Sequence, residues 1–386
     1  MKNTSENLSP EIQLIIESCK EEKDLSIIEK NIKFIENWDE LVPLAYSHGV
    51  FPLVYNTLKI YDDLIPHEQI SYMKQVYMNI VKQNMLMTSE LIKVIELLEN
   101  NAIKVIAFKG PSLSQLLYGD ITLRQYSDLD ILVDIDDLYT VSEILKSINI
   151  KADKSIDFLK NEKLLEIGSD FSLFSQNNIH LELHWNLFRK LLIDKSTDFI
   201  SSNNLEVNIN SKKIKTLNYD YLLIYLCVHG SKHLWERIEW IVDIDKLLKV
   251  GTFDWNFILK ISKELKVYNM FLLGISLSDE LFDSNIPTEV RNHYLTNNKV
   301  QNLKFKMINL LNSNFMHEEK EKKIMILKFK YIMQMFDSKV EPLKYIISII
   351  FKPTHYDIYF INIPSAFSFL YYLVRPIRII FNSIKK

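Results

Sequence analysis

With 386 residues and 47% hydrophobic side chains, the chain can bury a sizeable core, and its length points to two or three domains. A formal net charge of −3 removes any bulk electrostatic case for binding nucleic acid. Its two cysteines, Cys19 and Cys227, exclude a disulfide scaffold or a cysteine zinc site and fit a reducing, cytoplasmic setting.

The N-terminal stretch MKNTSENLSPEIQ has no apolar core, so no signal peptide is expected there. No apolar run reaches the length of about 18 residues that a spanning helix needs. Seven glycines are few for this length, so each is expected where the backbone requires it.

From residue 10 to residue 100, apolar residues recur at helical spacing: Ile12, Ile15 and Ile16, then Ile27, Ile28, Ile32 and Ile35. Asp39-Glu40-Leu41-Val42-Pro43 starts a helix ending near Gly49, and a long helix is expected over 67–99, closed by Asn100-Asn101. The pattern then changes. Ile103 to Phe108 reads as a strand stopped by Lys109-Gly110-Pro111, and Ser112 to Tyr118 as a helix. Leu129 to Ile135 is a nearly continuous apolar run, as in a buried strand, with Asp136-Asp137 placed to cap a helix running to Ile148. Phe171–Phe174 and Ile179–Trp185 flank a polar turn, and Leu205–Ile209 and Ile214–Leu217 flank another; both pairs read as hairpins. From Asp220 the helical period returns. These changes divide the chain into an N-terminal helical region (1–85), a core of mixed sheet and helices (86–217) and a C-terminal helical domain (218–386).

The chemistry concentrates in FKGPSLSQLLYGDITLRQYSDLDILVD, residues 108–134. A strand ends in a glycine turn that opens a helix, and Arg124 and Ser127-Asp128-Leu129-Asp130 follow. Two aspartates two residues apart on a strand project from one face, where they can bind a hard cation such as Mg²⁺ or Mn²⁺. Phosphoryl-type transfer from a triphosphate asks mainly for in-line positioning and neutralised oxygens. The Gly110 turn offers free backbone N–H groups to phosphates, with Ser112 beside it. A third carboxylate comes from the alternating strand Ile179-His180-Leu181-Glu182-Leu183-His184-Trp185. There His180, Glu182 and His184 share a face, and Glu182 is the candidate third ligand or general base.

Together these residues resemble the DNA-polymerase-β-like nucleotidyltransferase superfamily, whose pattern is a Gly-[Gly/Ser] turn, Asp-x-[Asp/Glu] and a later third acid. They resemble more closely a family of uncharacterised bacterial nucleotidyltransferases. In that family a Lys-Gly turn, a downstream Tyr and Arg-x-x-x-Asp-x-Asp precede a Glu-Leu-His-Trp strand and a His-Gly-x-x-His helix. These correspond to Lys109-Gly110, Tyr118, Arg124 to Asp130, Glu182 to Trp185, and His229-Gly230-Ser231-Lys232-His233. The likeness extends over Trp38–Pro52 and Pro353–Pro376. It implies an α+β fold: a polymerase-β-like core flanked by N- and C-terminal helical regions. It also implies an enzyme moving a nucleoside monophosphate from ATP or another NTP to an unidentified acceptor. Asp128, Asp130 and Glu182 would be the metal-binding catalytic triad. Lys109, Gly110, Ser112, Arg124, Ser127, Lys232 and His233 would be nucleotide or phosphate contacts. Pro111 stands where the superfamily has Gly or Ser. It therefore favours the alternative, a degenerate fold that binds a nucleotide or partner without turnover.

The segment 229–248 is dense in polar groups at helical spacing. His229 and His233 can share a face; the helix is read either as ordinary packing with satisfied histidines or, as preferred here, as a cleft wall. Lys232, His233 and Arg237 would then face the phosphates or base, with Asp243 paired to one of them or acting on the acceptor. The aromatic tail from Phe367 to Phe381, with Arg375 and Arg378, could lie on a membrane surface. Pro376 interrupts it, and a docked terminal helix is the preferred reading.

Overall fold

The structure, a computed structural model, describes residues 8–152, 165, 169–187, 204–311, 329–338, 340–361 and 363–384. Four short helices come first: α1 (Pro10–Cys19), α2 (Leu25–Phe34), α3 (Trp38–Ser47) and α4 (Phe51–Leu58). Ser9, Asp24 and Asn37 cap the first three by accepting bonds from their first-turn N–H groups, so side chains replace partners those groups would otherwise lack. The long helix α5 (His67–Asn100) ends at the expected asparagine pair, where Ala102 turns to φ 60°.

The chain folds into two compact units. The first comprises residues 1–88, 110–126 and 219–335, and its described elements are all helical. After α1 to α4 and most of α5 it contains α6 (Gly110–Tyr118), α8 (Tyr219–Lys232) and α9 (Ile238–Val250). It continues with α10 (Trp255–Glu264), α11 (Tyr268–Phe282), α12 (Thr288–Leu295) and α13 (Asn298–Leu311). Its core is built on α8, α9 and α11, with Trp235 fully buried. A Cβ on Gly230 would lie 2.3 Å from the Trp235 ring, so close packing against the indole explains the glycine of the His-Gly-x-x-His motif.

The second unit comprises residues 89–109, 127–218 and 336–386 and holds the β-structure. The strands are β1 (Val105–Ala107), β2 (Asp128–Val133), β3 (Asp170–Phe174) and β4 (His180–His184), with β5 (Leu205–Ile209) and β6 (Lys212–Thr216) as a separate hairpin. The four-stranded sheet has the order β1-β2-β4-β3. β2 runs antiparallel to β1 and parallel to β4, and β3 is antiparallel to β4. This is the expected mixed sheet with helices. Helix α7 (Leu138–Ser147) follows β2. The expectation that Asp136-Asp137 caps it is corrected: the Asp134 carboxylate accepts from the Asp136 N–H and opens a short 3₁₀ turn instead. Asp134 is the last extended residue, at ψ 144°, whereas Asp137 makes no side-chain cap bond.

The C-terminal part of this unit contains α14 (Val340–Phe351), α15 (His355–Phe360) and α16 (Tyr371–Ile384). Among the described residues, no helix is long and apolar enough to cross a membrane.

Candidate active site

Strand pairing places the candidate residues. In the parallel pair, Asp128 lies opposite His180, Asp130 opposite Glu182 and Leu132 opposite His184. Opposed residues share a face of the sheet, so one face of β2 and β4 carries Asp128, Asp130, His180, Glu182 and His184. The other face carries Leu129, Ile131, Leu181 and Leu183, all fully or almost fully buried. A register slip of one residue would put the carboxylates into that core, so the apolar alternation locks the acids on the outer face.

The five side chains are close enough to act together. Asp128, His180 and Glu182 offer ligand atoms all within 4.8 Å of one another, and so do Asp130, Glu182 and His184. Glu182 belongs to both groups. Asp130 is 1% exposed, and its Oδ1 accepts from the Lys109 ammonium at 3.1 Å and bonds His184 Nε2 at 3.1 Å. Its Oδ2 is buried and has no hydrogen-bond partner among the described residues. The same is true of His180 Nε2, whose ring stacks on Phe174 at 4.9 Å. Nε2 of His184 also reaches a Glu182 oxygen at 3.3 Å.

This crowding sets the charge states. Burial alone would raise the Asp130 carboxyl, but the Lys109 charge and the His184 bond outweigh it and hold the carboxyl well below the usual range. Burial and the Asp130 charge push the Asp128 carboxyl up. Burial opposes charge on His184, yet its bonds to Asp130 and Glu182 prevail and raise it to about 9. The imidazolium and Lys109 therefore offset part of the negative charge of the three acids.

The donor set fits a hard divalent cation. Three carboxylates on one face of two paired strands suit Mg²⁺ or Mn²⁺, and the unpaired Asp130 Oδ2 is a buried acceptor with a ligand's chemistry. Asp128, Asp130 and Glu182 would hold the ion, with His180 and His184 as flanking nitrogens.

The model of a protein family described as uncharacterised nucleotidyltransferase matches residues 36–283. The chain belongs to this family. The match leaves out residues 284–386, so the expected likeness over Pro353–Pro376 is not part of it. Among curated proteins none matches. Solved structures similar to this chain include the lincomycin-bound lincosamide antibiotic adenylyltransferase LnuA, at 18% identity and TM-score 0.30, covering 42% of this chain and 97% of that one. Another is an antigenic nucleotidyltransferase-like protein from Paracoccidioides brasiliensis, at 17% identity and TM-score 0.36, covering 53% and 95%. A third is the antibiotic-resistance factor ANT(2'')-Ia, at 10% identity and TM-score 0.28, covering 65% and 98%.

The remaining expected residues sit as follows. Ser127 is exposed, just before β2. Gly110 opens α6 at φ 54°, a left-handed conformation that explains a glycine there. Pro111 occupies the first turn of α6, where a missing N–H costs nothing. Ser112 is fully buried, and its hydroxyl has no partner among the described residues.

Arg124 is 7% exposed, and its guanidinium pairs with Glu239 at 2.7 Å and Asp243 at 3.0 Å. The pairing foreseen for Asp243 is therefore corrected. Its carboxylate takes Arg124 and the Tyr118 hydroxyl, at 2.9 Å, rather than Lys232, His233 or Arg237. Arg237 instead pairs with Glu239 at 2.6 Å and lies 5.8 Å from the Trp240 ring centre. His229 and His233 do touch, with ring centres 4.9 Å apart, and both pack against Trp240. Lys232 closes α8.

Glu239 escaped the sequence reading. The signal was present: Glu239 and Asp243 are acids four apart, on one face of a helix whose other residues from Ile238 to Ile244 are all apolar.

Proposed function

We propose that the protein is a metal-dependent enzyme that transfers a nucleoside monophosphate from ATP or another NTP to a hydroxyl acceptor on a small molecule, a sugar, a peptide or a protein. The observation that carries this reading is the sheet face on which Asp128, Asp130 and Glu182 converge, with Asp130 Oδ2 unpaired. Membership of the nucleotidyltransferase family supports the reaction class.

In this reading the acceptor oxygen bonds to the α-phosphorus, the bond from that phosphorus to its bridging oxygen breaks, and pyrophosphate leaves. The acceptor proton passes to a Glu182 oxygen, while His184 holds the Glu182 carboxylate in place. A bound Mg²⁺ or Mn²⁺ would supply charge neutralisation at the phosphate oxygens. Lys109, whose ammonium lies 3.1 Å from Asp130 Oδ1, would offer its positive charge to the phosphate oxygens when an ion is held by the carboxylates. Arg124 acts as a positioning residue, tying the segment before β2 to α9 through Glu239 and Asp243.

The test is incubation with each α-³²P-labelled NTP, Mg²⁺ or Mn²⁺, and a cell extract as acceptor source. Label transfer that is lost in Asp130→Asn supports the enzyme. Nucleotide binding without transfer under any NTP and metal would favour the degenerate alternative suggested by Pro111.

A further inference from the structure

The three C-terminal helices are built inside out. Asp357 on α15 is fully buried, and two arginines of α16 converge on it. Arg375 donates to Asp357 at 3.3 Å, to the Thr354 hydroxyl at 3.0 Å and to the Ile349 carbonyl at 2.7 Å, and Arg378 reaches Asp357 at 2.5 Å. The polar stripe of α16 thus faces α14 and α15. Its aliphatic stripe faces out, with Leu373, Ile377 and Ile380 61%, 60% and 59% exposed. These positions follow helical spacing, so they form one continuous face. The packed neighbour α14 repeats the arrangement with Leu343, Ile347 and Ile350. A soluble surface seldom leaves such a contiguous apolar face uncovered.

The charge of the segment says what covers it. Residues Val340 to Lys386 carry six lysines and arginines against two acids, in a chain whose formal net charge is −3. One of those acids, Asp357, is buried and offset by its two arginines, and the other, Glu341, lies within 4.0 Å of Lys344. The apolar face is therefore set in a positively charged segment. Two copies meeting through this segment would repel one another, whereas an anionic bilayer attracts it. Exposed rings at Phe369 and Tyr372 suit the headgroup boundary. None of these helices is long and apolar enough to span a membrane, which leaves an in-plane position.

We propose that the α14 and α16 face docks on the surface of an anionic lipid bilayer, with its aliphatic side chains in the headgroup-to-acyl boundary. The test is flotation of the full chain with vesicles of phosphatidylcholine alone and of phosphatidylcholine mixed with phosphatidylglycerol. The expected result is recovery with the anionic vesicles on the order of tenfold above that with neutral vesicles, falling as salt is added. Ile377→Glu combined with Ile380→Glu should lower that recovery at least about tenfold, because it removes buried aliphatic area and adds charge repelled by the surface. Leu343→Glu with Ile347→Glu on α14 should do the same. All four side chains are exposed, so circular dichroism should be unchanged. Failure of the parent chain to float with anionic vesicles, or equal flotation of both variants, would overturn the proposal. So would a parent dimer in light scattering that these substitutions dissociate without any lipid binding.

Discussion

Replacing Arg124 by methionine removes a cation that Glu239 and Asp243 share. The three groups are almost fully buried, and the two ion pairs measure 2.7 and 3.0 Å. At an effective dielectric constant of about 20, each unit-charge pair at about 3 Å is worth about 5 kcal/mol before desolvation. Desolvation cancels much of that gain, yet breaking a buried pair from one side still costs about 3–5 kcal/mol, because it strands a buried charge. Two groups soften the loss: Arg237 stays 2.6 Å from Glu239, and the Tyr118 hydroxyl stays 2.9 Å from Asp243. The expected destabilisation by Arg124→Met is therefore about 3 kcal/mol, at the lower end of that range. Adding Asp243→Asn should recover part of it, since the stranded charge is then gone. Urea unfolding followed by tryptophan fluorescence is a suitable assay. Trp38, Trp235, Trp240 and Trp255 lie in the first unit and Trp185 in the second, so the signal reports mainly the unit holding Arg124. A loss below about 1 kcal/mol, the worth of an exposed ion pair, would refute the reasoning.

Asp130→Asn should weaken Mn²⁺ binding on the order of 10²-fold, read by calorimetry, and unchanged affinity would remove Asp130 from the metal site. His184, raised to about 9, contributes stability that is fully present below its unfolded value of about 6.5 and lost as pH rises through 9. Melts in metal-free buffer should therefore show a stability loss across that window that His184→Gln lacks; the same slope in both proteins would discount the charge on His184. Gly49→Ala combines a left-handed φ of 75° with a Cβ 1.9 Å from Glu239 Oε2 and 2.4 Å from Arg237 Nη2. It should cost at least about 2 kcal/mol, from strain and the displaced ion pair, and a Tm within a degree of the parent would contradict that geometry.

Much of this was legible in the sequence where one local rule sufficed. Two-residue alternation in Asp128-Leu129-Asp130 and in His180 to His184 put the acids and imidazoles on one face and the leucines on the other. The helical period fixed α5, and the glycine turn marked the start of α6. These features depend on side chains a few residues apart, whose relative direction the backbone geometry dictates. What required the tertiary structure is the pairing between distant segments. No local pattern says that β2 and β4 are parallel with Asp130 opposite Glu182, or that Lys109 and His184 share one Asp130 oxygen while the other stays unpaired. Arg124 and Asp243 meet across 119 residues of chain, so their ion pair was invisible next to the equally basic Lys232 and Arg237. The helix α16 reads as amphipathic in sequence, but periodicity cannot tell its inner face from its outer one. Asp357 decides it: burying a carboxylate requires nearby cations, so it draws Arg375 and Arg378 inward and turns Leu373, Ile377 and Ile380 outward.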